Sequence, residues 1–172
     1  MFEQLFAFVR DSRIFWPLWV NEYGSAGSIG SNACVIIGPK GKNVDVVAHE
    51  LMHQEMNERI GAWRMFREVP VWFDEGVAMQ VEWRPEYLLS TEVAVANDTD
   101  VVRRLKSVNQ FNQGDNEQIT QHYAFAKAEV AKWIADIGSR NLYSYFERIR
   151  DGEKFDVVVG NWVEGHRVSQ GI

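Results

Sequence analysis

The chain carries a single cysteine, Cys34, in 172 residues. One thiol excludes an internal disulfide framework and any cysteine-rich zinc module. No apolar run approaches the roughly 18 residues that a membrane-spanning helix needs, so no membrane span is expected. The chain also lacks internal repeats and low-complexity tracts. Positive charge is in deficit. Eighteen lysines and arginines face 24 aspartates and glutamates, and the formal net charge of −6 argues against nucleic acid or an anionic bilayer as the main partner. The opening residues, MFEQLFAFVRDSRIFW, break their apolar run with acidic and basic side chains and make a poor signal peptide. The expected compartment is the cytoplasm if Met1 is the native start, and an exported location if a leader was removed.

What remains is ordinary in bulk. A hydrophobic fraction of 46% and a charged fraction of 24% suit a soluble globular protein, and the length suits one domain with a real core. Seven tryptophans point to a well-packed core or an aromatic-lined cleft. Residues 2–9 are apolar enough for a short helix or strand. YGSAGSIGSNA, residues 23–33, holds three glycines and three serines and reads as a mobile loop. ACVIIG follows, a β-branched run ended by Gly38-Pro39, and is the clearest strand. GPKGKN lacks the glycine-lysine-serine/threonine ending of a phosphate loop and reads as a plain turn.

Asn43 is placed to cap a helix from Val44 to Ile60, with Gly61 as its stop. Val47 and Leu51, with Val44 and Ile60 less regularly, suggest its apolar stripe. Pro70 marks a boundary before VWFDEGVAMQVEW, expected to form a second helix closed by Pro85. DTDVVRRLKSV looks like a short third helix, followed by the polar loop NQFNQGDN. A long helix is expected from Glu117 to about Ile137, stopped by Gly138, and RNLYSYFERIRDG supplies another, ended at Gly152. The tail EKFDVVVGNWVEG is ambiguous between helix and strand. The sum is an α+β, helix-dominated domain.

VAHELMHQEM, residues 47–56, contains His49-Glu50-Leu51-Met52-His53. Side chains four apart on a helix share a face, so both histidines can direct a ring nitrogen at one ion about 2.0–2.1 Å away. Glu50 can flank that ion and meet its water. Two histidines alone can equally face solvent or be satisfied in a core, because a catalytic zinc needs three protein ligands and an open position. A glycine at position 56 and a histidine at 59 would mark a metzincin; Met56 and Arg59 exclude that reading.

Downstream stands PVWFDEGVAMQ, residues 70–80. With the histidine pentad it resembles the gluzincin zinc peptidases, whose second motif has the form W-F/L-x-E-G-x-A. Trp72, Phe73, Glu75, Gly76 and Ala78 match that form, and 21 residues separate His53 from Glu75, close to the family's gap. The resemblance is specific over residues 48–79, weaker through the long helix and tail, and silent on residues 1–30. It implies one zincin-like domain over residues 1–172, with strands and the pentad helix in 1–61 and the helices carrying the glutamate ligand in 62–172. The small sheet would pack on the active-site helix. It further implies Zn2+ held by His49, His53 and Glu75, Glu50 as general base, and a peptide or protein as substrate.

Gluzincins also draw an oxyanion donor from a later helix. Tyr123 is the candidate here, with His122 behind it. Asp74 competes with Glu75 as ligand but sits better as a helix cap. Some gluzincins place an outer carboxylate one turn after the glutamate ligand, a position held here by Met79; Asp45 could substitute, or could be a helix-start acid. ACVIIG is the strand expected to offer an edge to a peptide. His166 and Cys34 receive no functional role, and Asn97-Asp98-Thr99 is a glycosylation sequon only in a secreted eukaryotic protein. A domain that retains the scaffold as a regulatory or partner-binding zinc site, without hydrolysis, is the alternative reading.

Overall fold

The computed structural model describes residues 5–8, 22–29, 32–88 and 99–160. His166, Asn97 and Asp98 lie outside them. The apolar run read as a strand is β3, Asn32–Ile37, and it forms the centre of a three-stranded sheet of order β1-β3-β2. Residues Cys34 to Ile37 are buried. On one side β1, Leu5–Phe8, runs parallel with Leu5 opposite Cys34; on the other β2, Gly24–Ile29, runs antiparallel with Gly24 opposite Ile37. Within the glycine- and serine-rich stretch, Gly24–Ile29 is therefore a strand and not a loop. Its residues are poor strand formers, but the ladder to β3 uses only backbone, and glycine permits the close approaches made here. A Cβ on Gly24 would stand 2.9 Å from Glu50 Oε1, and one on Gly41 would stand 1.7 Å from the Tyr23 carbonyl oxygen. The turn Gly38–Gly41 is plain, closed by the Gly38 carbonyl accepting from Gly41 N–H at 3.1 Å.

Helix α1 spans Val44–Ile60. Asn43 caps it, its side chain accepting from Val46 N–H at 2.9 Å, and Gly61 ends it at φ 90°. The expected apolar stripe holds at Ile60, is half-buried at Val47 and Leu51, and fails at Val44. Val44 is 78% exposed, while the buried residues of α1 are Val46, His49, Glu50, Gln54, Met56 and Ile60. The helix buries His49, Glu50 and Gln54 alongside Val46, Met56 and Ile60, a mixed face that hydrophobic periodicity cannot reveal. A short helix unforeseen in the sequence, α2 (Ala62–Glu68), follows directly.

Helix α3, Val71–Ala78, takes Pro70 as its N-cap residue, so Asp74 is not the cap. It crosses α5, Asn116–Ile137, at Gly76, where a Cβ would come within 2.6 Å of the Ala126 carbonyl oxygen and of Val130 Cγ2. The motif's glycine is thus a packing requirement: it lets α3 lie against α5 closely enough to aim Glu75. After Ala78 the chain tightens into a 3-10 turn, Met79–Val81, and is extended by Glu82. The third helix read at 98–108 is a 3-10 helix, Thr99–Arg104. The supposed loop after it holds a helical turn, α4 (Val108–Phe111), under a Ser107–Gln110 capping box. Helix α5 is capped by Asp115 and stopped by Gly138 at φ 77°. Helices α6 (Leu142–Arg150) and α7 (Phe155–Val158) complete the described chain.

The core lies between α1, α3, α5 and α6. Phe73 meets Trp133 edge-on at 5.1 Å, and Met56, Phe111, Phe146 and Ile149 close around them, all fully buried. Glu129 is also fully buried, yet Thr99 and Arg103 donate to its carboxylate and Lys132 does so at 2.7 Å, which ties the 3-10 helix to α5. No helix among the described residues is long and apolar enough to cross a membrane.

Candidate metal centre

His49 and His53 face each other from successive turns of α1, their Nε2 atoms 3.1 Å apart. From α3, Glu75 Oε2 lies 3.3 Å from His49 Nε2 and 3.5 Å from His53 Nε2. Two ligands bound to one ion at about 2.0–2.1 Å in a tetrahedron stand roughly 3.3 Å apart, so the triangle has the size of a zinc ligand set. Glu75 Oε2 is sealed from solvent, outside hydrogen-bond geometry, and meets only the two imidazoles, so its buried charge depends on a cation there, the imidazolium rings or a metal ion. His49, His53 and Glu75 form a group able to hold a metal ion. Glu50, on the next position of α1, is buried beside them.

Carboxylates also stand behind the far ring nitrogens, by a hydrogen bond at His53 and by an ion pair off hydrogen-bond geometry at His49. His53 Nδ1 donates to Asp74 Oδ1 at 2.7 Å, and His49 Nδ1 lies 2.9 Å from Glu82 Oε2. Outer carboxylates of this kind fix the ring orientation and raise the basicity of the inner nitrogen. Asp74 therefore serves His53, not the helix end. Glu82 serves His49 from seven residues after Glu75, because the 3-10 turn swings the chain back across α1. Asp45 instead accepts from Trp83 N–H at 3.1 Å, pinning the same segment. Glu82 is 1% exposed; Arg84 donates to its carboxylate, and Lys127 donates to its carbonyl. The sequence offered no sign of Glu82, which would have faced elsewhere had α3 continued to Pro85.

Electrostatics follow from the crowding of charge. Burial pushes His53 down, but Asp74 and Glu75 outweigh it and hold the ring well above its ordinary value. Burial likewise acts against a raised His49, and Glu75 and Glu82 overcome it. Burial would raise Glu75, but His53 and His49 hold it well below the usual carboxylate range. Glu50 is different: burial lifts it above the ordinary value despite both histidines, the direction that suits a general base.

These groups line a cleft of about 750 Å³. Its aromatic residues are Tyr23, Tyr87 and Tyr123 rather than tryptophan. Tyr123 sits on α5 with its ring 6.5 Å from that of His49, packed on Tyr87 at 5.7 Å and Phe111 at 5.0 Å. The negative charge of Glu75, and then burial, raise its phenol well above the ordinary value, so it stays a donor. His122 turns away, its Nδ1 2.7 Å from the Phe111 carbonyl oxygen. The strand expected to offer a free edge, β3, is flanked on both sides; the strand against the cleft is β2, whose Gly24, Ser25 and Ala26 line it. Cys34 is buried in the sheet, away from the site.

Comparison with protein families, curated proteins and solved structures finds no match to this chain.

Proposed function

We propose that this protein is a zinc-dependent peptidase of the gluzincin kind, hydrolysing peptide bonds of extended substrates. The observation that carries the reading is the ligand triangle: His49 Nε2, His53 Nε2 and Glu75 Oε2 at 3.1, 3.3 and 3.5 Å from one another, with the carboxylate oxygen otherwise unpartnered. Two imidazoles and one carboxylate suit zinc with a fourth position open. When bound there, zinc lowers the pKa of a water towards 7 and polarises a carbonyl.

The remaining work falls to the chain. Glu50, lifted by burial, takes the proton of the attacking water and delivers it to the leaving amine. Tyr123, held protonated, is the donor available to the developing oxyanion. Asp74 and Glu82 hold the two imidazoles in their ligating orientation. Strand β2 supplies backbone groups against which an extended peptide can pair. The intact Glu50 favours hydrolysis over a purely binding role, since a structural metal site has no use for a base.

The test compares zinc-loaded wild type with Glu50→Gln on casein and on a peptide library. The expected result is equal zinc content, cleavage by wild type and none by the variant. Cleavage by the variant at the wild-type rate, or none by wild type, contradicts the mechanism.

A further inference from the structure

Helix α2 turns two large rings to solvent. Trp63 is 69% exposed and Phe66 85%, and Met65 alone of its residues is buried. Three apart on a helix, the two rings are neighbours on its surface. Trp63 lines a groove of about 480 Å³ between α2 and the start of α7. Phe155 lies beneath it, 6% exposed and packed on Phe73 of α3 with ring centroids 5.0 Å apart, so the floor of the groove belongs to the core. Charge around the groove is uneven. Arg64 is taken by Glu68, 2.8 Å away on the same helix. Arg67 stands over the Trp63 ring, 5.2 Å from its centroid, and Lys154 precedes α7; neither reaches a carboxylate among the described residues. Asp156 is the remaining acid of the lining, which leaves three cations against two acids on a chain of net charge −6.

We propose that this groove docks an acidic segment of a partner protein: an aliphatic or aromatic side chain of the segment enters against Trp63 and Phe155, and carboxylates flanking it pair with Arg67 and Lys154. Aromatic and arginine side chains are the ones most enriched at the centres of protein interfaces. A carboxylate brought to Arg67 leaves intact the contact its guanidinium already makes with the Trp63 ring. Phe66, about one turn along α2, offers the segment its next apolar contact. The same charges decide against an anionic lipid surface. A bilayer wide enough to reach the two cations also faces the acidic remainder of the chain, whereas a short segment sits within about 10 Å of them, the screening length at 0.1 M salt. The groove shares no lining residue with the cleft of the candidate metal site, so docking leaves that cleft open and requires no hydrolysis.

The test follows the fluorescence anisotropy of a labelled twelve-residue peptide, with leucines spaced among aspartates and glutamates, as the full chain is added. Wild type should bind it, and more weakly as salt rises. Trp63→Ala, Arg67→Glu and Lys154→Glu should each weaken binding about tenfold or more. All three side chains are exposed, so each variant should keep the wild-type circular dichroism. Peptides with asparagine and glutamine in place of the acids, or serine in place of the leucines, should not bind. Metal-free and zinc-loaded protein should bind equally, which separates the groove from the cleft. No binding of the acidic peptide by wild type, equal binding by the charge-reversed variants, or binding that depends on zinc overturns the docking site. Two rival occupants would do the same: phosphatidylserine vesicles that sediment wild type but not Trp63→Ala, and a wild-type dimer in sedimentation velocity that Phe66→Ser abolishes.

Discussion

His49 spans two carboxylates: its Nε2 lies 3.3 Å from Glu75 Oε2 and its Nδ1 lies 2.9 Å from Glu82 Oε2. The first belongs to the ligand triangle and the second orients the ring from behind. Glu82 is itself fixed by Arg84, whose guanidinium packs on Tyr87 at 4.7 Å and Tyr23 at 5.3 Å. The candidate metal ligand, the carboxylate behind it and the aromatic wall of the cleft form one connected assembly.

Glu82→Gln keeps the volume and removes the charge behind His49. The variant should bind zinc about 10–100-fold more weakly than wild type, the range typical of lost outer-shell partners, and Asp74→Ala should fall in the same range. Competition with a chromophoric chelator reads the affinity. Unchanged affinity in Glu82→Gln would remove this carboxylate from the account.

Metal-free protein should lose stability as pH rises. His49 and His53 are raised in the folded state. A raised folded pKa contributes stability that is full below the unfolded value of about 6.5 and fades as pH climbs through the folded value. Glu75, Glu82 and Glu129 are lowered; their contribution is full above about 4.5 and fades as pH falls below it. The melting temperature should therefore be highest between roughly pH 4.5 and 6.5 and decline towards pH 9. Zinc reverses the alkaline slope, because its binding must displace protons from both imidazoles. Calorimetric titrations in buffers of different ionisation enthalpy measure that release. A flat or rising melting temperature in metal-free protein above pH 6.5 contradicts the charge assignment.

Tyr123→Phe removes the phenol and keeps the ring against Tyr87 and Phe111. If its hydroxyl meets the oxyanion, kcat should fall by about 10²–10³, with zinc affinity and KM little changed. An unchanged kcat would leave Tyr123 as cleft wall only.

The parts of this fold that follow local rules were legible in the sequence. Asn43 and Gly61 delimit α1, and Gly138 stops α5, because caps and left-handed glycines act within a turn or two. His49, His53 and Glu75 were legible as a spacing. The rest depended on partners. β2 is a strand only because β3 offers a backbone ladder and Gly24, lacking a Cβ, leaves room for Glu50. Asp74 reaches His53 only because Gly76 sets α3 against α5. Glu82 reaches His49 only because the chain after Ala78 tightens around the fully buried Met79. Val44 departs from the expected stripe for the complementary reason: α1 buries the polar His49, Glu50 and Gln54 instead.

The most direct test of the central claim is the metal content of protein purified without a histidine tag, dialysed and then offered zinc. Wild type should hold one zinc per chain by elemental analysis, and Glu75→Ala should hold none after the same dialysis while keeping its fold by circular dichroism. Wild type with no stoichiometric metal and no zinc uptake, or Glu75→Ala with full occupancy, would contradict the account.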